Sequence, residues 1–212
     1  MRLRHLSHLP KLETLLKTHS EQYPTFNDRY KLYDYINNTI LNNGPIEYCE
    51  FGVFKGDSIK YWTDINANIN SKFYGFDTFT GLPEVWDCFT APMEKNHFDA
   101  GGNYPAIDDK RVSFIKGLFQ DTLPEFLKTR KFSHPLIIHN DSDLYSATLY
   151  VLTYANGIIV PGTIIMFDEF STMLHEFRAL EDYCSSYMRN YEIIGATLSS
   201  SKYYTQIAIK MT

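Results

Sequence analysis

The 212-residue sequence has little cysteine and no excess of positive charge. Its three cysteines, Cys49, Cys88 and Cys184, are far apart and form no CxxC pair, which argues against a disulfide framework or a structural zinc site. The formal net charge is −5, and the lysines and arginines are scattered along the chain. Because tracking nucleic-acid phosphates requires a basic stripe, this distribution predicts no nucleic-acid partner.

Long apolar runs are also missing from the sequence. No segment approaches the roughly 20 apolar residues that a helix needs to cross a bilayer, so we expect no membrane partner. Residues 1–6 are basic but do not lead into the apolar core of a signal peptide. We therefore expect an unprocessed chain located in the cytoplasm.

Short apolar runs that alternate with helical periodicity make up most of the chain. Strands are predicted at 46–53, 72–77, 112–116, 135–140 and 162–167, and helices at 57–64, 123–129, 145–155 and 173–187. Two later strand-like runs, 191–196 and 203–210, are too close for a crossover helix and should pair antiparallel. The pattern predicts an α/β, doubly wound, Rossmann-like sheet, mostly parallel with an antiparallel C-terminal hairpin strand.

The domain organisation follows from where this pattern begins. Residues 1–26 have weak periodicity and are predicted to be an N-terminal arm, whereas residues 27–212 are predicted to form a single domain. Residues 84–111 form the longest stretch without clear periodicity and contain Trp86, Phe89, Phe98 and Tyr104. Because long loops inside compact domains are usually functional or disordered, these aromatic side chains favour a mobile lid.

The ends of the first two predicted strands indicate a nucleoside site. The first strand leads into Gly52 and Gly56, and the second ends at Asp77, an acid about 25 residues beyond the glycine turn, where it could hold ribose hydroxyls. This pair of signals fits either a nicotinamide dinucleotide or an adenosyl cofactor. The turn reads GVFKG and not GxGxxG, which favours the adenosyl cofactor. A structural turn without any cofactor is the remaining alternative.

The ends of the fourth and fifth predicted strands are acidic. One strand runs into HNDSD at residues 139–143, and the other ends in Asp168-Glu169. Carboxylates that crowd one sheet edge repel each other unless a cation or a proton intervenes, and Mg²⁺ prefers such oxygen ligands. We therefore predict that Asp141, Asp168 and Glu169 bind Mg²⁺; the alternative is that these acids are solvated helix caps.

The remaining polar residues at these strand ends have two readings each. Asp143 could cap the following helix or, like Asp141, take part in catalysis. His139 could be a general base or a packing residue. Gly117, after the third predicted strand, could line the adenine side of a pocket or serve only its turn.

Six segments of the sequence resemble, in order, the signature blocks of the macrocin O-methyltransferase family. They are residues 49–62, 73–86, 98–105, 112–127, 140–152 and 161–170. The resemblance implies a class I methyltransferase fold, S-adenosylmethionine as methyl donor, and Mg²⁺ at the acids after the fourth and fifth strands. It also implies methylation of a hydroxyl on a sugar or another small-molecule acceptor, in natural-product or polysaccharide biosynthesis. The residues that it places against the cofactor are Glu50, Gly52, Phe54, Ser58, Asp77, Phe79 and Gly117.

The sequence departs from the family pattern at two places. The family shows paired aspartates where this chain has Asp168-Glu169, and an apolar residue where this chain has His139-Asn140 before the acids. We expect Asp143 or His139 to accept the proton of the acceptor hydroxyl. Two other readings stay open: an NAD(P)-dependent oxidoreductase on a similar sheet, and a non-catalytic binding protein with a methyltransferase fold. Assembly into a homo-oligomer is open as well.

Overall fold

The computed structural model describes residues 7–19, 22–88, 92–198 and 204–212. The strands are β1 (Thr25–Phe26), β2 (Glu47–Phe51), β3 (Lys72–Asp77), β4 (Val112–Lys116), β5 (Leu136–Asn140), β6 (Ile164–Phe167), β7 (Tyr191–Leu198) and β8 (Tyr204–Met211). The α-helices are α1 (Leu9–His19), α2 (Arg29–Tyr35), α3 (Asp57–Ile65), α4 (Phe119–Thr129), α5 (Tyr145–Tyr154) and α6 (Glu176–Tyr187). A π-helical turn at Ile36–Ile40 extends α2, and a 3₁₀ turn at Ala155–Gly157 follows α5.

The strands of the described residues form one sheet in the order β1-β7-β8-β6-β5-β2-β3-β4. Strand β8 runs antiparallel to both of its neighbours, and the other neighbouring strands are parallel. The predicted doubly wound sheet with an antiparallel C-terminal hairpin strand is therefore confirmed. Tyr203, the first residue predicted for the final strand, lies outside the described residues.

The order of the strands brings the four chemically important strand ends together. Strands β3, β2, β5 and β6 are consecutive neighbours and parallel, so their carboxyl ends meet at one edge of the sheet. The backbones of β2, β5 and β6 are covered on both faces, and every residue of these three strands is buried. Parallel strands with both faces packed are rigid supports for the loops that follow them.

Part of the predicted N-terminal arm packs against the domain. Thr25 pairs with Ala196, so that β1 extends the sheet beyond β7. The hydroxyl of Tyr23 donates a hydrogen bond to the hydroxyl of Tyr204 at 2.9 Å, and Leu12 is buried in the core. A strand of two residues is too short to produce a detectable period in the sequence. Residues 1–6 of the arm lie outside the described residues.

Two helices begin at a different residue than predicted. The predicted helix at 123–129 begins at Phe119, because Leu123 and Phe126 are buried and continue a helical face backwards to that residue. The predicted helix at 173–187 begins only at Glu176. Among the described residues, Cys49, Cys88 and Cys184 form no disulfide. In the described part of the chain, each helix is too short or too polar to cross a membrane.

Candidate functional site

A cleft of about 300 Å³ opens at the carboxyl ends of β2, β3, β5 and β6. This volume is at the lower end of the range for small-ligand sites. Of the residues predicted to bind cofactor or metal or to act in catalysis, those that line the cleft are Gly52, Phe54, Ser58, Asp77, Asp141, Asp143, Asp168 and Glu169. Among the described residues, Glu50, Phe79, Gly117 and His139 do not line it.

The glycine turn after β2 forms one wall of the cleft. Gly52 has φ +95°, and a Cβ atom on it would lie 1.8 Å from the carbonyl oxygen of Asp141. Only glycine therefore lets the loop after β2 approach the loop after β5 this closely. Gly56, with φ +82°, precedes the first residue of α3. The turn joins the predicted nucleoside half of the cleft to its acidic half.

Asp77, at the end of β3, binds the backbone of two loops. Its Oδ2 accepts hydrogen bonds from the N–H groups of Val53 and Phe54, and its Oδ1 accepts one from Phe79, each at 2.7 Å. A carboxylate offers about four acceptor positions, so about one is left for a ribose hydroxyl. The structure thus gives Asp77 a role that the sequence did not suggest, namely to hold the cofactor turn in shape; its contact with ribose stays a prediction.

Three non-glycine residues with left-handed backbone follow three of the strands at this edge. They are Phe54 after β2, Phe79 after β3 and Asp143 after β5, with φ between 50° and 60°. Each such residue costs about 1–3 kcal/mol, and such strain is concentrated at functional sites. For Asp143 this geometry also decides between two readings. Helix α5 begins after Leu144 without a side-chain cap, so the reading of Asp143 as a helix cap is wrong.

A compact group of candidate metal-ligand atoms lies at the acidic half of the cleft, partly behind its lining residues. One ligand atom from each of His139, Asp141 and Asp168 lies within 4.8 Å of the others. Asp168 is held by its backbone N–H, which donates to the Asn140 carbonyl at 3.1 Å, and its buried Oδ1 has no hydrogen-bond partner within the described chain. Glu169 lines the cleft but is not part of this group.

Burial and mutual repulsion raise the pKa values of several carboxyl groups at the site. The pKa of Asp141 is raised well above its ordinary value. Burial is the larger cause, and the charges of Asp168 and Asp143 add to it. Burial also raises the pKa of Asp143 to about 8 and that of Glu169 to about 7, with neighbouring carboxylates adding to both. Such crowding is stable only with protons or a cation among the carboxylates.

Two charged residues of this site were missed by the sequence analysis. Glu176, the first residue of α6, is fully buried, and burial raises its pKa well above normal. Its Oε2 accepts the backbone N–H of Glu169 at 2.9 Å. Arg29 lines the cleft, and its Nη2 lies 3.2 Å from Oδ2 of Asp168. Asp28 caps α2 by accepting the Tyr30 N–H at 2.7 Å, which fixes the start of the helix at Arg29 but gives no sequence signal for its contact with Asp168.

His139 lies behind the acids in a buried polar network. Its Nδ1 is 2.7 Å from the hydroxyl of Tyr48, and that hydroxyl donates a hydrogen bond to Glu50. The Nε2 of His139 points the other way, 4.0 Å from Oδ1 of Asp168. Glu50, predicted to contact the cofactor, is thus engaged with Tyr48 below the floor of the cleft.

The predicted lid, residues 84–111, contributes one of the described residues that line the cleft. Phe98 lines the cleft, and its ring lies 5.4 Å from that of Phe54. Trp86 is buried in a small apolar cluster with Leu144 of the loop after β5. Phe89, also predicted to belong to the lid, lies outside the described residues. Opening and closing of this segment stays a prediction.

The sheet order, with the single reversed strand β8, and the cleft at the carboxyl ends define the class I methyltransferase fold. Solved structures with this fold include the calicheamicin methyltransferase CalS11, with 20% identity and a TM-score of 0.65 over 86% of this chain and 78% of that one. The O-methyltransferase NovP has 20% identity and a TM-score of 0.62, over 87% of this chain and 79% of that one. These likenesses establish the fold.

Sequence comparison identifies the family. The sequence pattern of the macrocin O-methyltransferase (TylF) family matches residues 28–194, and the chain belongs to this family. Mycinamicin III 3''-O-methyltransferase of Micromonospora griseorubida is 25% identical over 167 residues, which are 68% of this chain and 64% of that protein. The 8-demethyl-8-(2,3-dimethoxy-alpha-L-rhamnosyl)-tetracenomycin-C 4'-O-methyltransferase of Streptomyces olivaceus is 26% identical over 66% of this chain and 61% of its own length. The chain thus matches less than two thirds of the length of these curated relatives.

Proposed function

We propose that the protein transfers the methyl group of S-adenosylmethionine to a hydroxyl of a sugar or a similar small-molecule acceptor, with a divalent cation at the acidic half of the cleft. The observation that carries the proposal is the joining of two half-sites in one cavity. The glycine turn that Asp77 braces forms one half, and the carboxylates after β5 and β6 form the other. Family membership and the sugar O-methyltransferase names of the two curated relatives support the reaction.

The turn after β2 suits an adenosyl cofactor. Gly52 lets this turn lie against the loop after β5, and Gly56 lets it lie against Pro105 and Ile107. Ser58 in the first turn of α3 lines the same wall. Asp77 is oriented by three backbone N–H groups and keeps an acceptor position for a ribose hydroxyl. The nicotinamide alternative loses its support, because the chain belongs to a methyltransferase family.

The acidic half suits a divalent cation, for which the sequence predicts Mg²⁺. Asp141 and Asp168 lie close together, and Oδ1 of Asp168 is buried without a hydrogen-bond partner in the described residues. A bound divalent cation would lower the pKa of an acceptor hydroxyl and fix its direction. Arg29, the cation now paired with Oδ2 of Asp168, leaves Oδ1 available to such an ion.

The chemistry then requires an in-line approach and a proton acceptor. The acceptor oxygen forms a bond to the methyl carbon, the carbon–sulfur bond breaks, and sulfur keeps the electron pair to give S-adenosylhomocysteine. We assign the proton to a carboxylate oxygen of Asp143, because Asp143 lines the cleft and His139 does not. Burial and neighbouring carboxylates raise the pKa of Asp143 to about 8, and a cation bound beside it would lower that pKa and favour the ionised form that accepts a proton. Phe98 and the rest of the lid would exclude water during the transfer.

The test combines binding and turnover. Purified protein is titrated with S-adenosylhomocysteine by calorimetry, and methyl-labelled S-adenosylmethionine is incubated with deoxysugar glycosides and nucleotide sugars, with Mg²⁺ or with EDTA. We expect binding of S-adenosylhomocysteine, the product of the methyl donor, and metal-stimulated labelling of an acceptor. Asp168→Asn should abolish the stimulation and leave product affinity within about twofold, whereas Asp64→Asn, at an exposed site on α3, should behave like the wild type.

Each negative result points to a different conclusion. Failure to bind S-adenosylhomocysteine would contradict the methyltransferase proposal itself. Binding without labelling of any acceptor would favour the non-catalytic binding protein. Turnover that survives both EDTA and Asp168→Asn would remove the cation from the mechanism.

A further inference from the structure

We propose that Nε2 of His139 is a nitrogen ligand of the cation site, beside carboxylates of Asp141 and Asp168, and that the site therefore prefers Mn²⁺ or Co²⁺ to Mg²⁺. The inference rests on the proposed function in one respect, that a divalent cation binds there. It changes the predicted ligand set, in which Glu169 was the third ligand, and it gives His139 a role other than proton acceptor.

The tautomer of His139 follows from its neighbours. The phenol of Tyr48 has one hydrogen, and it donates that hydrogen to Glu50. Towards His139 the same oxygen can only accept, so Nδ1 of the ring, 2.7 Å away, must carry a proton. In the neutral ring this leaves a lone pair on Nε2, which is the form that binds metals. Tyr48 and Glu50 thus act as the orienting partners that ligating histidines usually have.

No donor among the described residues forms a hydrogen bond with Nε2. His139 is fully buried, and its Nε2 makes no hydrogen bond to any residue that the structure describes. The acceptor atom Oδ1 of Asp168 lies 4.0 Å away and has no such partner either. Two buried acceptors that face each other without a hydrogen between them are unfavourable, and a cation between them removes the conflict.

The spacing of the three ligand atoms is close to that of a coordinated ion. They lie within 4.8 Å of one another. With metal–ligand bonds of about 2.1 Å, opposite ligands of one octahedral ion are about 4.2 Å apart and adjacent ligands about 3.0 Å apart. Nε2 of His139 and Oδ1 of Asp168, 4.0 Å apart, have the spacing of opposite ligands, and side-chain movements of about 1–2 Å would bring Asp141 next to both.

An imidazole ligand changes which metal the site selects. Mg²⁺ prefers oxygen ligands and retains its water, whereas imidazole nitrogen suits first-row transition metals. A site with two carboxylates and one imidazole should therefore bind Mn²⁺ and Co²⁺ more tightly than Mg²⁺.

The test is pulsed electron paramagnetic resonance on the full chain loaded with Mn²⁺. We expect the ¹⁴N modulation of one coordinated imidazole, replaced by the ¹⁵N pattern when the histidines are labelled with ¹⁵N. His139→Gln should abolish the signal and weaken Mn²⁺ binding about tenfold or more by calorimetry, with a smaller effect on Mg²⁺. His134→Gln is the matched control and should retain the signal, because His134 lies two residues before the start of β5, at the end of the strand opposite to His139.

The outcomes separate this inference from the proposed function. Mn²⁺ bound without a ¹⁴N coupling would overturn the inference and leave cation-assisted methyl transfer intact. No binding of Mn²⁺ or Mg²⁺ would overturn the inference together with the cation's part in the reaction, while S-adenosylhomocysteine titration still tests methyl transfer. The isotope comparison uses the wild-type chain, so it decides the matter even if His139→Gln fails to fold.

Discussion

Asp77→Asn is the most informative substitution, because it separates support of the cofactor turn from contact with the cofactor. Asparagine has nearly the same shape, but it replaces one acceptor oxygen by an NH₂ group and removes the charge. Its single oxygen can serve the N–H groups of Val53 and Phe54, which leaves the N–H of Phe79 facing another donor. One charge-assisted hydrogen bond is then lost, and two are reduced to neutral ones.

The expected loss of stability follows from these three bonds. Hydrogen bonds to charged groups contribute about 1.5–3 kcal/mol each and neutral ones about half as much. Because Asp77 is only partly buried, water replaces some of the loss, and we expect the free energy of unfolding to fall by about 2–4 kcal/mol. For a chain of this length, at about 2–4 °C per kcal/mol, the corresponding decrease in Tm is about 4–16 °C.

The measurement is urea unfolding followed by circular dichroism, with S-adenosylhomocysteine titration of the same samples. Asp108→Asn, at an exposed position of the lid segment, is the control for loss of one negative charge. We expect Asp77→Asn to lower both stability and product affinity. Weaker product binding with an unchanged unfolding midpoint would refute the bracing role, since Asp77 would then act on the ligand alone.

Two further substitutions test the packing around the site. Gly52→Ala should lower the free energy of unfolding by more than about 3 kcal/mol, because its Cβ would clash with the carbonyl of Asp141. Gly162→Ala is the control: Gly162 has the same φ of +95° with nothing within 4 Å of the added Cβ, so this substitution should cost only about 1 kcal/mol. Equal effects of the two substitutions in urea unfolding would rule out the clash. Asp109→Asn should cost about 1–2 kcal/mol at pH 7, because hydrogen bonds from Arg111 lower the pKa of Asp109 and this stabilisation exists only while the carboxylate is ionised. The difference in the free energy of unfolding between variant and wild type should vanish as the pH falls through the lowered pKa of Asp109, which lies below the ordinary value of about 3.9. A difference that persists in acid would contradict the ionic explanation.

Local patterns along the chain were sufficient to predict the sheet and the acidic residues at its carboxyl edge. The alternation of apolar runs with helical segments predicted β2 to β8, because burial on a strand or a helix leaves a period in the sequence. Parallel strands also bring their carboxyl ends to one edge, so Asp77, Asp141 and Asp168 could be assigned to one cleft before any distance was known. The two-residue strand β1 left no such period and was missed.

Tertiary structure alone decided what each of these side chains does there. Asp77 became a brace because the loop after β2 folds back over it, and the lone pair of His139 is directed by Tyr48, 91 positions away in the sequence. Arg29 and Glu176 join the acids only because the folded chain brings the first residues of α2 and α6 to the loop after β6. Hydrogen bonding, burial and charge interactions depend on distances in space, and residues far apart in sequence leave no periodic signal of their approach.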